Sequence, residues 1–186
     1  MNDIKKTYTI QWVGPFHSLG EYKVYLQRED TCDKSLFSFY YFIGNKKGKG
    51  YKKTLLYDYF GIHKGNDITS RLNKCHEHFK DFHINENLNI WFGSFANIED
   101  QTPSNIKEVE TVFISSYKPT ENIKEINSAI DESICIVNLW YKKADEKPWI
   151  RKPQSAAPRF DDVIIYEVEE AFRRVLSGKL KEVRTP

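Results

Sequence analysis

Glu110 stands where a soluble protein normally keeps apolar side chains. At about 100° per residue it falls within the helical stripe formed by Ile106, Val109, Phe113 and Tyr117. A carboxylate there must meet a counter-charge, a metal ion or a cavity, because an unpaired buried charge is costly. Other polar residues are spaced to join it. Tyr59-Phe60-Gly61 ends an apolar, strand-like run, Arg71 follows on a helix-like segment, and Pro119 and Asn122 close the helix of Glu110. Arg71 and Glu110 either form a structural salt bridge or share a site. Tyr40 and Tyr59 are either packed strand aromatics or hydroxyl-bearing members of that site.

The elements that must position these residues follow from periodicity. Residues 7–13 alternate with Tyr8, Ile10 and Trp12 on one side, and residues 22–27 alternate with Tyr22, Val24 and Leu26. With Gly14-Pro15 and Gly20 between them, they predict an N-terminal β-hairpin. Residues 36–43 and 54–62 are two aromatic strands joined by a Gly/Lys hairpin. Asp67 caps a helix whose apolar face is Ile68, Leu72, Cys75, Phe79 and Phe82, with Arg71 at its border. Residues 89–96 form a third strand. Pro103-Ser104 opens the helix of Glu110 with Ser104 as its cap, Pro119 ends it, and Glu108 points elsewhere as a surface acid. Residues 133–141 make a buried strand and residues 147–159 a Pro-, Lys- and Arg-rich loop. Asp161 or Asp162 then caps a last helix carrying Ile165, Val168, Phe172, Val175 and Leu176, with Gly178 as its stop.

This ordered set resembles the GIY-YIG nuclease superfamily. Members carry a Gly-Ile-Tyr-like triplet on a first strand and Tyr-Ile-Gly on a second. An Arg follows on the next helix, often with a His beyond it, and a Glu on a later helix followed by Pro and Asn. Here the matching residues are Ser38-Phe39-Tyr40, Tyr59-Phe60-Gly61, Arg71-Leu72, Glu110, Tyr117-Lys118-Pro119 and Asn122. Ser38 replaces the family's first Gly. For the His, helical geometry favours His78 and spacing favours His76, with Cys75 at the nearest match. The resemblance covers residues 36–125 and implies an α+β fold (α/β in the broad sense), with a small antiparallel β-sheet flanked by helices. Around that core lie an N-terminal hairpin extension (1–35) and a C-terminal strand, basic loop and helix (126–186), within one domain.

The resemblance also implies metal-dependent cleavage of DNA phosphodiester bonds. Glu110 would hold Mg²⁺ or Mn²⁺, hard ions that need only one or two carboxylates beside waters and phosphate oxygens. Arg71 would clamp a phosphate oxygen with its planar fork. Tyr40 or Tyr59 would position or deprotonate the attacking water, and Asn122 would organise the end of the Glu110 helix. Two other classes stay open: a DNA-binding module on the same scaffold that has lost hydrolysis, and a protein–protein adaptor.

Composition bounds these readings loosely. The 186 residues carry 28 basic and 26 acidic side chains, a net charge of +2 that does not by itself argue for nucleic acid. Lys46, Lys47, Lys49, Lys52 and Lys53 crowd one Gly-rich segment, which suits either a phosphate backbone or a solvated hairpin tip. Aromatics at 15% suit strands first and base stacking second. Three widely spaced cysteines argue against a disulfide framework. With no apolar leader and no run long enough to span a bilayer, a cytoplasmic protein without membrane contact is expected. The flanking extensions could guide DNA or pair two copies. Cys75-His76-Glu77-His78, with His83 near, is a poor zinc site. His76 and His78 diverge by about 200° on one helix.

Overall fold

In a computed structural model the described residues are 4–28, 37–46, 55–63, 88–122, 130–149, 158–168 and 173–175. The strands are β1 (Lys6–Phe16), β2 (Phe37–Lys46), β3 (Leu55–Ile62), β4 (Asn89–Phe95), β5 (Ile134–Lys142), β6 (Val163–Tyr166) and β7 (Arg173–Val175). The helices are α1 (Leu19–Leu26) and α2 (Pro103–Tyr117), with a short 3-10 turn at Ile98–Asp100. The fold is α+β. Among the described residues no helix is long and apolar enough to cross a membrane.

Among the described residues the sheet is mixed and has seven strands in the order β3-β2-β4-β1-β5-β6-β7. β1 and β5 run parallel; every other neighbouring pair is antiparallel. The small antiparallel sheet expected from the sequence is therefore only part of it. The alternation that predicts β1 to β5 separates two cores. Tyr8, Ile10, Trp12, Phe39, Tyr41, Phe60, Trp91 and Ile136 face α2, whose Ile106, Val109, Val112 and Phe113 cover them. Val13, Phe16, Tyr40, Phe42, Ile90 and Phe92 occupy the other face with Tyr22 and Tyr25 of α1.

Two predicted elements are corrected. Residues 22–27 are not a strand but the end of α1. Ser18 caps it, its hydroxyl accepting from the Glu21 N–H at 3.0 Å. Over so few residues a period of two and a helical i, i+3 pattern overlap, and burial decides between them. Tyr22 and Tyr25 are buried, whereas Val24 is 66% exposed. β1 then pairs with β4 and β5 as the middle strand of the sheet, not with a hairpin partner. At the other end, within the stretch expected to continue from Asp161 as a helix, Val163–Tyr166 and Arg173–Val175 form β6 and β7, while 169–172 and 176–178 lie outside the described residues. Branched Val163 and Ile164 are buried against β5. Asp162 fixes the entry: its carbonyl accepts from Asn138 N–H at 2.7 Å and its carboxylate from Trp140 Nε1 at 2.9 Å. The cap of α2 also moves. Thr102, not Ser104, accepts from Asn105 N–H, and Pro103 takes a first-turn position where a missing N–H costs nothing.

Phe160 joins the C-terminal segment to the core. It is 1% exposed, with ring centroids 4.5 Å from Tyr41, 4.5 Å from Phe113 and 5.7 Å from Trp12. Truncating such a ring loses transfer free energy and leaves a cavity. Phe160→Ala is expected to cost about 3–5 kcal/mol in urea unfolding. A loss below about 1 kcal/mol would place this segment outside the core.

Candidate functional site

Tyr40 and Tyr59 meet on the α1 side of the sheet. β2 and β3 place Tyr40 opposite Gly61 and Phe42 opposite Tyr59, so all four share one face. The Tyr40 and Tyr59 ring centroids lie 6.0 Å apart, and Phe42 and Tyr59 stack at 5.1 Å. The hydroxyl end of the Tyr40 ring sits against Gly61, and a Cβ there would collide with it. The glycine of Tyr59-Phe60-Gly61 thus has a packing reason: it makes room for a cross-strand aromatic ring. Tyr40 is fully buried, while Tyr59 is partly exposed at the edge of its cluster.

Glu110 lies on α2, which packs against the opposite face, so the sheet separates it from Tyr40 and Tyr59. The expected gathering of both tyrosines around Glu110 is corrected on this point. Successive strand residues point to opposite faces, and α2 crosses the face that Tyr41 and Phe60 occupy. The side chain of Glu110 is 12% exposed and pairs with Lys107 one turn earlier at 2.7 Å. Its counter-charge among the described residues is this neighbour. Arg71, His76, His78, Lys47, Lys49, Lys52 and Lys53 lie outside the described residues, as does the helix expected to carry Arg71. Lys46 is placed by its backbone at the end of β2.

Asn122 does reach the second triplet. Its side chain accepts from Phe60 N–H at 2.9 Å and donates to Phe60 C=O at 2.8 Å, across 62 residues of sequence. Next to it, Asp58 is 1% exposed. Tyr41 donates to Asp58 Oδ2 at 2.8 Å, Thr120 N–H donates to Oδ1 at 2.9 Å, and Arg159 lies 3.9 Å from Oδ2. Asp58 is not among the candidate residues that the sequence pointed to. The signal was available, since Asp58 interrupts an aromatic strand at a position in phase with Phe60. That is the argument made for Glu110. Glu108 also differs from the surface acid expected: it pairs with Lys6 at 2.9 Å and accepts from Tyr8 Oη at 2.9 Å, tying α2 to β1.

Among the described residues no group of three or more His, Cys, Asp or Glu side chains is arranged to hold a metal ion. Glu110 offers one carboxylate, with Oε2 engaged by Lys107. That suits a hard ion completed by waters and phosphate oxygens once Lys107 moves aside. No family model, no curated protein and no solved structure matches this chain.

Burial, followed by the Asp58 charge and hydrogen bond, pushes the Tyr41 hydroxyl well above its usual range. Burial and the Glu108 hydrogen bond do the same for Tyr8. A raised native pKa means that the unfolded chain releases these protons first. The stabilisation is complete below the ordinary tyrosine value, about 10, and is lost as pH rises towards the native values. Stability is therefore expected to fall above about pH 10, less steeply in Tyr8→Phe. Tyrosine absorbance should show the Tyr8 and Tyr41 hydroxyls ionising only on unfolding. Free ionisation of all tyrosines in the folded protein would contradict this.

Proposed function

We propose that this protein is a metal-dependent endonuclease acting on DNA phosphodiester bonds through a GIY-YIG-like core. The observation that carries the reading is the clasp of Asn122 on Phe60. It ties the closing motif to the second triplet, two pieces that the sequence resemblance pairs and the chain separates widely. The element types agree as well: Tyr40 and Tyr59 lie on paired strands, and Glu110 lies on the helix that ends before Pro119. In this reading Glu110 holds Mg²⁺ or Mn²⁺ and Arg71 clamps a phosphate oxygen. His76 or His78 assists, and Lys46, Lys47, Lys49, Lys52 and Lys53 meet the DNA backbone. Tyr59 is the more accessible of the two tyrosines. A cytoplasmic location belongs to the same proposal.

One observation favours a second reading, DNA binding without hydrolysis. Tyr40 is sealed in its cluster, and the sheet stands between both tyrosines and the Glu110 helix. A single experiment separates the two. Supercoiled plasmid is incubated with the purified protein in Mg²⁺ or Mn²⁺, and binding is measured in parallel over a salt series. The endonuclease reading expects nicking that Glu110→Ala slows by about 100-fold or more, the scale of a lost charge-stabilising group. Full activity in Glu110→Ala overturns the metal role. Salt-sensitive binding with no product establishes the second reading, and no binding at low salt overturns both.

A further inference from the structure

Among the described residues β3 ends the sheet and pairs with a strand on one side, through β2. Such an edge presents a row of backbone donors and acceptors to any extended chain that approaches. Here two residues of that row, Asp58 and Phe60, are taken. Asp58 N–H donates to the Thr120 hydroxyl at 2.8 Å, and Asp58 C=O accepts from Glu121 N–H at 3.0 Å. Phe60 N–H and C=O are bound by the Asn122 amide, which reproduces the donor–acceptor pair of a neighbouring backbone. The segment responsible, 119–122, is a turn and not a strand; Asn122 N–H donates back to Pro119 C=O at 3.0 Å.

We propose that residues 119–122 form a strap that closes the β3 edge against strand addition by a second copy of this chain. A self-pairing antiparallel β3–β3 contact is the closed, two-fold arrangement such an edge favours. Among the described residues only this segment binds the outer backbone groups of Asp58 and Phe60. β3 has eight residues, and Leu56 is 47% exposed on it. The strap is itself pinned from inside the protein. Thr120 N–H binds the buried Asp58 carboxylate, and the helix before it ends at Lys118 in a left-handed conformation, φ 45°. That conformation turns the chain sharply off α2 and onto β3. Asp58 is therefore a positioning residue for the strap. The strap shares the Asn122–Phe60 clasp with the proposed nuclease reading but needs no catalytic activity, so its test reads exchange and association, not cleavage.

The test combines amide hydrogen exchange with light scattering on size-exclusion chromatography. In the wild-type chain the amides of Asp58 and Phe60 should be protected as in an interior strand. Exchange as fast as that of an exposed edge overturns the proposal. In Thr120→Val/Asn122→Ala those amides should exchange at least about tenfold faster in dilute samples, and the chain should become a concentration-dependent dimer. Adding Leu56→Lys, a charge on the bare edge, should return it to monomer. A folded double variant that stays monomeric overturns the proposal, and so does a dimer that Leu56→Lys leaves intact. If the double variant does not fold, Asn122→Asp decides. It keeps the acceptor for Phe60 N–H and loses the donor to Phe60 C=O. A weak dimer reversed by Leu56→Lys supports the strap, and a monomer at all concentrations overturns it.

Discussion

A buried carboxylate on β3 must be paid in hydrogen bonds, and that requirement organises this side of the molecule. Asp58 lies in an aromatic strand with almost no water. It is tolerated because Tyr41 and Thr120 donate to its oxygens and the Arg159 guanidinium is near. Each partner comes from a different part of the chain: the neighbouring strand, the turn after α2, and the segment leading to β6. One charge therefore fixes how three separated pieces meet. Replacing it by a neutral group would leave several donors unsatisfied at once, which is why such clusters tend to be held as units.

The clasp and the strap follow from that arrangement. Once Thr120 is held at Asp58, Asn122 falls level with Phe60 and completes the edge with its amide. The proposed nuclease reading leans on the same geometry, since it brings the end of α2 beside Tyr59-Phe60-Gly61. The same helix nevertheless covers the face that Tyr40 and Tyr59 do not share. Within the described residues the end of α2 and Tyr59-Phe60-Gly61 are therefore neighbours, while Tyr40 and Glu110 stay on opposite faces of the sheet. The apolar setting of Glu110 called for a partner, and the partner is Lys107 on its own helix.

Much of the scaffold was readable because its signals are local. The strands β1 to β5 announce themselves by alternation and by aromatic and branched residues, and α2 by its stripe and its terminal Pro119. Errors arose where local signals were short or shared. Six residues around Tyr22 satisfy both a strand and a helix, and the pattern after Asp161 satisfies both again. In the second case the contacts of Asp162 with Asn138 and Trp140 select the strand, and those residues lie more than twenty positions away.

What the chain alone determined is which segments are extended or helical and which of their faces avoid water, because backbone sterics and side-chain periodicity act over a few residues. It also determined that Glu110 needed a partner, since burying a charge alone is costly. Only the tertiary structure decided what that partner is. It placed β1 in parallel against β5, put Tyr40 and Glu110 on opposite faces, and joined Asn122 to Phe60. Such choices depend on contacts between residues far apart in sequence, whose pairing is set by the total burial and hydrogen bonding of the whole sheet and by no single segment of it.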